Sequence, residues 1–152
     1  MYVSDLQEQQ VFAYPSCWKK DTNHRGGPIT LGGLGYKKGI LLHPDETTDG
    51  KGLGRVVYTL EGQLRKARRF AAFVGIDDSI RIYNQGSATF IVEVHRNGQW
   101  ECVYESGTLK LGDSLQEVNV DIMGADELRL ITTDAGDGIA CDHAVWADAR
   151  IE

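Results

Sequence analysis

The segment that most narrows what this chain can fold into lies near its C-terminus, at residues 132–151, TTDAGDGIACDHAVWADARI. An apolar run at 128–131 precedes it and an alternating run closes it. Val145, Ala147, Ala149 and Ile151 fall on one face, with Trp146, Asp148 and Arg150 on the other, the period of a strand. Between the two runs, Asp134, Asp137 and Asp142 crowd into a glycine-bent loop beside His143, with no Lys or Arg among them. Negative charge concentrated in this way needs a cation, backbone donors or a polar ligand. The rest of the chain therefore reads as a scaffold for a strand-anchored acidic loop.

Upstream, the pattern is of many short strands separated by turn signals. The weakly alternating residues 2–6 and the apolar residues 11–14, stopped by Pro15, are the first candidates. Residues 17–27 read as a polar loop carrying Trp18, Asp21, Asn23 and His24. Gly32-Gly33 marks a turn between 29–31 and Tyr36, and residues 39–44 form a strand ending in His43. Residues 45–54 read as flexible, with Asp49-Gly50 at the tip. Further strands follow at 55–60, 68–76, 88–95, 100–105, 115–122 and 127–133. The 68–76 strand carries apolar residues on both faces, and Asn97-Gly98 is the strongest hairpin signal in the chain. Only 62–69 offers a helical pattern, and a weak one. Eighteen glycines against three prolines fit this turn-rich reading. The spacing predicts one all-β domain over residues 1–152, an antiparallel sandwich or barrel.

Charge narrows the partners. A net charge of −6 argues against nucleic acid or an anionic membrane surface, and no apolar run is long enough to insert into a membrane. No signal peptide is visible at Met1; the folded character of the first residues suggests a module cut from a longer chain. Cys17, Cys102 and Cys141 lack metal-ligand spacing. A Cys17–Cys141 disulfide with one buried thiol, and three free cysteines, are both open at this stage. The basic cluster Arg65-Lys66-Ala67-Arg68-Arg69 reads as a solvated strand entrance, with an anion patch as the alternative.

Among chemistries, the glycines at 33–39 match neither a dinucleotide fingerprint nor a Walker loop. The acidic loop could supply an acid and a base, but no nucleophile motif accompanies it. Calcium suits it better, since that ion takes six to eight oxygens and accepts carbonyls. The competing reading is that the aspartates cap turns. Trp18, Trp100 and Trp146 each offer a flat face to a sugar ring. Trp100 at a hairpin and Trp146 in the terminal strand read as core, and Trp18, in the most polar surroundings, is the best candidate of the three.

Several phrases together resemble one family. They are KGILLHP at 38–44, FAAFVGIDD at 70–78, ELRL at 127–130, TDAGDG at 133–138, and DHAVWADA at 142–149. The chain resembles, from about residue 2 to 151, the NPCBM domain, also called family 51 of the carbohydrate-binding modules. That resemblance implies a jelly-roll β-sandwich of the galactose-binding-domain type, appended to a glycoside hydrolase or another large secreted, periplasmic or cell-surface bacterial protein. It implies no catalysis, a structural calcium and recognition of glycans with terminal galactose-type sugars. Residue by residue, it places Asp134, Asp137, Asp142, Asp77 and Asp78 with the metal. It places His43, Trp18, Asp21, Asn23, His143 and Trp146 with the sugar. The chain departs from the family at Leu41-Leu42, at Cys141 and at residues 45–54, which resemble an insertion. The alternatives are a sandwich that mediates protein contacts without binding sugar, and a hydrolase with a minimal acidic site. Single sugar sites bind at about millimolar to tens of micromolar, ~4–7 kcal/mol, so attachment to an enzyme or array compensates through effective concentration.

Overall fold

The computed structural model describes all of residues 1–152. Its strands are β1 (Gln10–Phe12), β2 (Trp18–Lys20), β3 (Ile29–Leu31), β4 (Leu34–Tyr36), β5 (Gly39–Leu42), β6 (Asp45–Glu46) and β7 (Gly52–Thr59). They continue with β8 (Arg69–Ile76), β9 (Ser87–Arg96), β10 (Gln99–Lys110), β11 (Gln116–Asp121), β12 (Glu127–Thr133) and β13 (Ala144–Ile151). One sheet runs β1-β7-β12-β9-β10, with β6 also on β7; the other runs β11-β8-β13-β5-β2. Every pairing is antiparallel. The two sheets enclose a core that includes Tyr58, Phe70, Phe90, Val92, Val94, Leu128 and Trp146.

A third layer explains the two-sided strands. The β3–β4 hairpin lies over the outside of the second sheet, where Ile29 and Leu31 pack with Cys17, Leu41, Val145 and Ala147, and Phe73 joins from β8. All four residues of β5 are therefore buried, and β8 shows apolar residues on both faces, as its sequence predicts. Asn97 and Gly98 turn the β9–β10 hairpin with φ of 53° and 75°, both left-handed as this two-residue turn requires.

The C-terminal strand departs from strict alternation. Ala144 and Trp146 face the inter-sheet core, whereas Val145 and Ala147 face the third layer. A bulge lies between Ala147 and Arg150, and Asp148 there has φ of 52°. One extra residue reverses the facing of everything after it, so Ala149 and Ile151 return to the core. Trp146 thus shares the core side with Ala149 and Ile151, which the simple period places opposite it.

Other expectations need correction. Residues 3–5 form a 3₁₀ turn rather than a strand, and the first strand begins at Gln10. The polar loop at 17–27 contains β2, which pairs with β5. Residues 45–54 are partly ordered into the β6–β7 hairpin, and the weak helix at 62–69 is a 3₁₀ turn, Gly62–Lys66. The cysteines are all free. In the basic cluster, Arg65 donates to the carbonyls of Gly124 and Ala125, and Arg69 pairs with Glu152.

Candidate functional site

The acidic loop connects β12 to β13 through residues 134–143. It turns repeatedly through left-handed backbone, at Ala135, Gly136, Gly138 and Cys141. Two of these carry side chains, and such strain persists only where surrounding contacts enforce it. Asp134 supplies part of that enforcement: its Oδ2 accepts from the Gly52 amide at 3.0 Å and its Oδ1 from the Gly136 amide at 2.9 Å. Gly52 has to be glycine, because a Cβ there would lie 2.6 Å from Asp134 Cβ and from Ile139 Cγ2.

The other two aspartates meet at Ser87. The Ser87 hydroxyl donates to Asp137, at 2.9 and 2.8 Å to its two oxygens, and the Ser87 amide donates to Asp142 Oδ1 at 2.9 Å. Asp142 Oδ2 is buried and has no partner. No Lys or Arg pairs with any of the three carboxylates. Burial first, then repulsion from Asp137 and Asp134, pushes Asp142 up to about 7 against the pull of the Ser87 amide. A sealed, orphaned carboxylate oxygen beside a second carboxylate is a donor set that fits a hard cation.

Asp77 and Asp78 do not join this set. Asp77 is fully buried, and its oxygens accept from the amides of Thr30 and Ser79. Asp78 accepts from the Gly33 amide and pairs with Arg81. They tie the β3–β4 hairpin to the end of β8. The ligand atoms that do converge within 4.8 Å belong to His95, Asp126 and Glu127. These lie at the opposite strand ends, where a 2.6 Å His95–Asp126 hydrogen bond accounts for their closeness.

Beside the acidic loop opens a cavity of about 340 Å³, lined by Tyr14, Cys17, His43, Ile139, Ala140, Cys141 and His143. His43 and His143, 100 positions apart in sequence, come together with ring centroids 5.0 Å apart. Tyr14 stands 5.2 Å from His43, and His24 stands 4.4 Å from His143. His43 Nδ1 lies 2.7 Å from the Pro44 carbonyl. A carbonyl only accepts, so Nδ1 carries the proton and Nε2 the lone pair. Burial lowers the pKa of His43 and of His24. His143 is held down to about 3 by burial and then by His43, His24 and Arg25. At neutral pH the cluster is uncharged. Exposed at 43%, the Tyr14 ring offers a flat apolar face beside these imidazoles. A larger cavity of about 510 Å³ lies between the β6–β7 hairpin and the loop, at Thr47, Lys51, Leu53, Thr133 and Asp134. It contains no aromatic ring.

The remaining predicted sugar residues are engaged elsewhere. Trp146 has no exposed surface and packs on Phe70 and Phe90. Trp18 is half-buried on β2 and turns against the inter-sheet core. Asp21 pairs with Lys38 at 2.8 Å and accepts from the Gly39 amide. Asn23 is buried; its Oδ1 accepts from the amides of Arg25 and Gly27, and its Nδ2 donates to Pro28. Asp21 and Asn23 thus hydrogen-bond within and beside their own loop. Tyr14, which the sequence presents as the end of an apolar run, lines the histidine cavity although no motif marks it.

The NPCBM/NEW2 family model matches residues 1–152. The chain belongs to the NPCBM/NEW2 domain family. Family 51 carbohydrate-binding modules share its fold. One from a family 95 glycoside hydrolase of Clostridium perfringens, solved with methyl-galactose, superposes with a TM-score of 0.82 at 29% identity, covering 100% of this chain and 99% of that one. The second such module of the C. perfringens ZmpB protein, solved with GlcNAc, gives 0.80 at 25% identity over 99% of this chain and 30% of that one. A ZmpB structure that includes its M60 catalytic domain gives 0.79 at 33% identity, covering 99% of this chain and 15% of that one. A curated relative, a putative endo-alpha-N-acetylgalactosaminidase of Renibacterium salmoninarum, is 29% identical over 127 residues, which is 82% of this chain and 7% of that protein. This NPCBM domain is a non-catalytic carbohydrate-binding module of the β-sandwich type.

Proposed function

We propose that this module binds glycans ending in galactose-type sugars, in the cavity formed by Tyr14, His43 and His143. The observation that carries this reading is the convergence of two neutral histidines on an exposed tyrosine ring in an open cavity. The C–H face of a galactose ring stacks on Tyr14, while hydroxyls donate to the His43 lone pair and bond the His143 ring. The galactoside complex of a relative with the same fold supports the choice of sugar. Calcium belongs to the same proposal. Asp137 and Asp142 hold it, with Asp134 anchoring the loop. When bound, the ion neutralises the buried carboxylate of Asp142 and stiffens the wall that carries His143. The module then acts outside the cytoplasm, joined to a glycoside hydrolase or another catalytic domain that it holds on glycans, as the domain context of its relatives suggests.

Calorimetric titration with methyl-galactoside, and with GlcNAc as the competing sugar, tests the site. Tyr14→Ala and His43→Ala are each expected to weaken galactoside binding about tenfold or more. Unchanged affinity in both variants moves the site elsewhere. If no glycan binds at all, the module is one of protein contacts instead.

A further inference from the structure

The outer face of the first sheet carries another cavity, separate from the histidine cavity. Phe12 on the edge strand β1 stands opposite Arg55 of β7. Along β7, Gly52, Gly54 and Val56 are buried toward the core, so Leu53 and Arg55 project outward. With Glu46, Thr47 and Thr48 of the β6–β7 hairpin, Phe12, Leu53 and Arg55 enclose about 350 Å³. The Phe12 ring is 37% exposed. Neither Glu46 nor Arg55 enters any ion pair, although Arg55 is half-buried.

An arginine whose side chain enters no ion pair or hydrogen bond keeps all five of its N–H donors free for a ligand. Here it shares a cavity with a flat apolar ring, the Glu46 carboxylate and the Thr48 hydroxyl, while the Thr47 hydroxyl donates to Asp49 and the Lys51 carbonyl within the hairpin. That is a donor and acceptor set for hydroxyl groups, with an aromatic face for the C–H side of a ring. One positive and one negative group balance, which suits a neutral hexose or N-acetylhexosamine better than a charged sugar. Position supports the same reading. Ala13 packs inward on the core while Phe12 and Tyr14 on either side of it are exposed. Their Cα atoms are at most about 7 Å apart, so the two cavities draw lining residues from neighbouring positions of one short segment.

We propose that the Phe12–Arg55 cavity is a second sugar subsite, taking the neutral unit next to the one held at Tyr14 and His43. This rests on the reading of the histidine cavity as the terminal-sugar site. The module would then read a disaccharide. Four of its lining residues, Glu46, Thr47, Thr48 and Leu53, lie within residues 45–54, the part of the sequence that departs from the family phrases.

Titration calorimetry with methyl-galactoside, lactose, N-acetyllactosamine and melibiose separates the outcomes. At least one disaccharide is expected to bind the unmodified chain about tenfold more tightly than methyl-galactoside does. Phe12→Ala and Arg55→Met should each remove that gain while leaving methyl-galactoside within about twofold. His43→Ala should weaken both classes of sugar. Melting curves check that each variant is folded, and the two substitutions alter the cavity independently. Methyl-galactoside binding with no disaccharide gain overturns the second subsite alone, as does a gain that survives both substitutions. Binding of none of the four sugars overturns the primary site and the subsite together.

Discussion

Replacing Asp142 by Asn removes the charge that this fold holds least comfortably. In the folded chain the carboxyl is pushed from 3.8 up to about 7, which corresponds to about 4 kcal/mol in full. Burial is the largest cause of that shift, and water reaching the exposed Asp137 beside it relieves both the burial and the repulsion in part. About half of the full value, ~2 kcal/mol, is therefore expected. The sign follows from proton binding. Below about pH 4 both states hold the proton, and the group is neutral toward stability. From about pH 4 to 7 the unfolded chain releases its proton first, so stability falls as pH rises. His143 acts in the opposite direction: its value, lowered from 6.5 to about 3, takes stability away as pH falls from about 6.5 to 3. The informative quantity is therefore the difference between the Asn variant and the unmodified chain, in which the histidine contribution cancels. In chelator at pH 8, Asp142→Asn should melt about 4–8 °C higher, at ~2–4 °C per kcal/mol for a domain of this size. At pH 4 the two should melt together. With calcium the order should reverse, since only the unmodified chain keeps the proposed ligand. A variant that melts no higher at pH 8 in chelator refutes the charge argument. A melting temperature of the unmodified chain that ignores calcium refutes the proposed ion and leaves the charge argument standing.

Two further substitutions probe the scaffold. Gly52→Ala places a methyl group 2.6 Å from Asp134 and Ile139, and the shift of the loop should cost about 1–3 kcal/mol in chemical denaturation, with weakened galactoside binding. Two denaturation curves that coincide would show that the loop can yield freely. Trp146→Ala should cost about 3–5 kcal/mol by emptying the core beside Phe90, while a folded fraction should keep its galactoside affinity, as measured by calorimetry. Loss of affinity without loss of stability would return Trp146 to the sugar site.

The strands were legible because their signals are local. Alternation of Phe90, Val92 and Val94, the Asn97-Gly98 turn and the Gly32-Gly33 turn each predict an element that the fold contains. Errors arose where an element has no period of its own. β2 is three half-buried residues, ordered by pairing with β5 and by contacts with distant residues rather than by a period of its own. The first turn at Val3–Asp5 is buried against distant strands, so its apolar residues imitate a strand. At β13 the alternation was real as far as Ala147, and the bulge at Asp148 then reversed it.

Site residues divide in the same way. The charge of the acidic loop and the family phrases containing His43 and His143 can be read from residue types alone. What each polar group does cannot, because a side chain's availability depends on which donors the fold brings to it. Asp21 found Lys38, Asn23 found three backbone groups of its own loop, and Asp77 found Thr30, 47 residues away in sequence. Asp142 Oδ2 found no partner. Sequence by itself determined an all-β chain with a charged, strand-anchored loop, because side-chain period and turn chemistry act over a few residues. Only the tertiary structure decided that Trp146 faces the core, that Tyr14 faces the cavity and that one aspartate is left without a partner. Those outcomes depend on the packing of two sheets and a hairpin from distant parts of the chain.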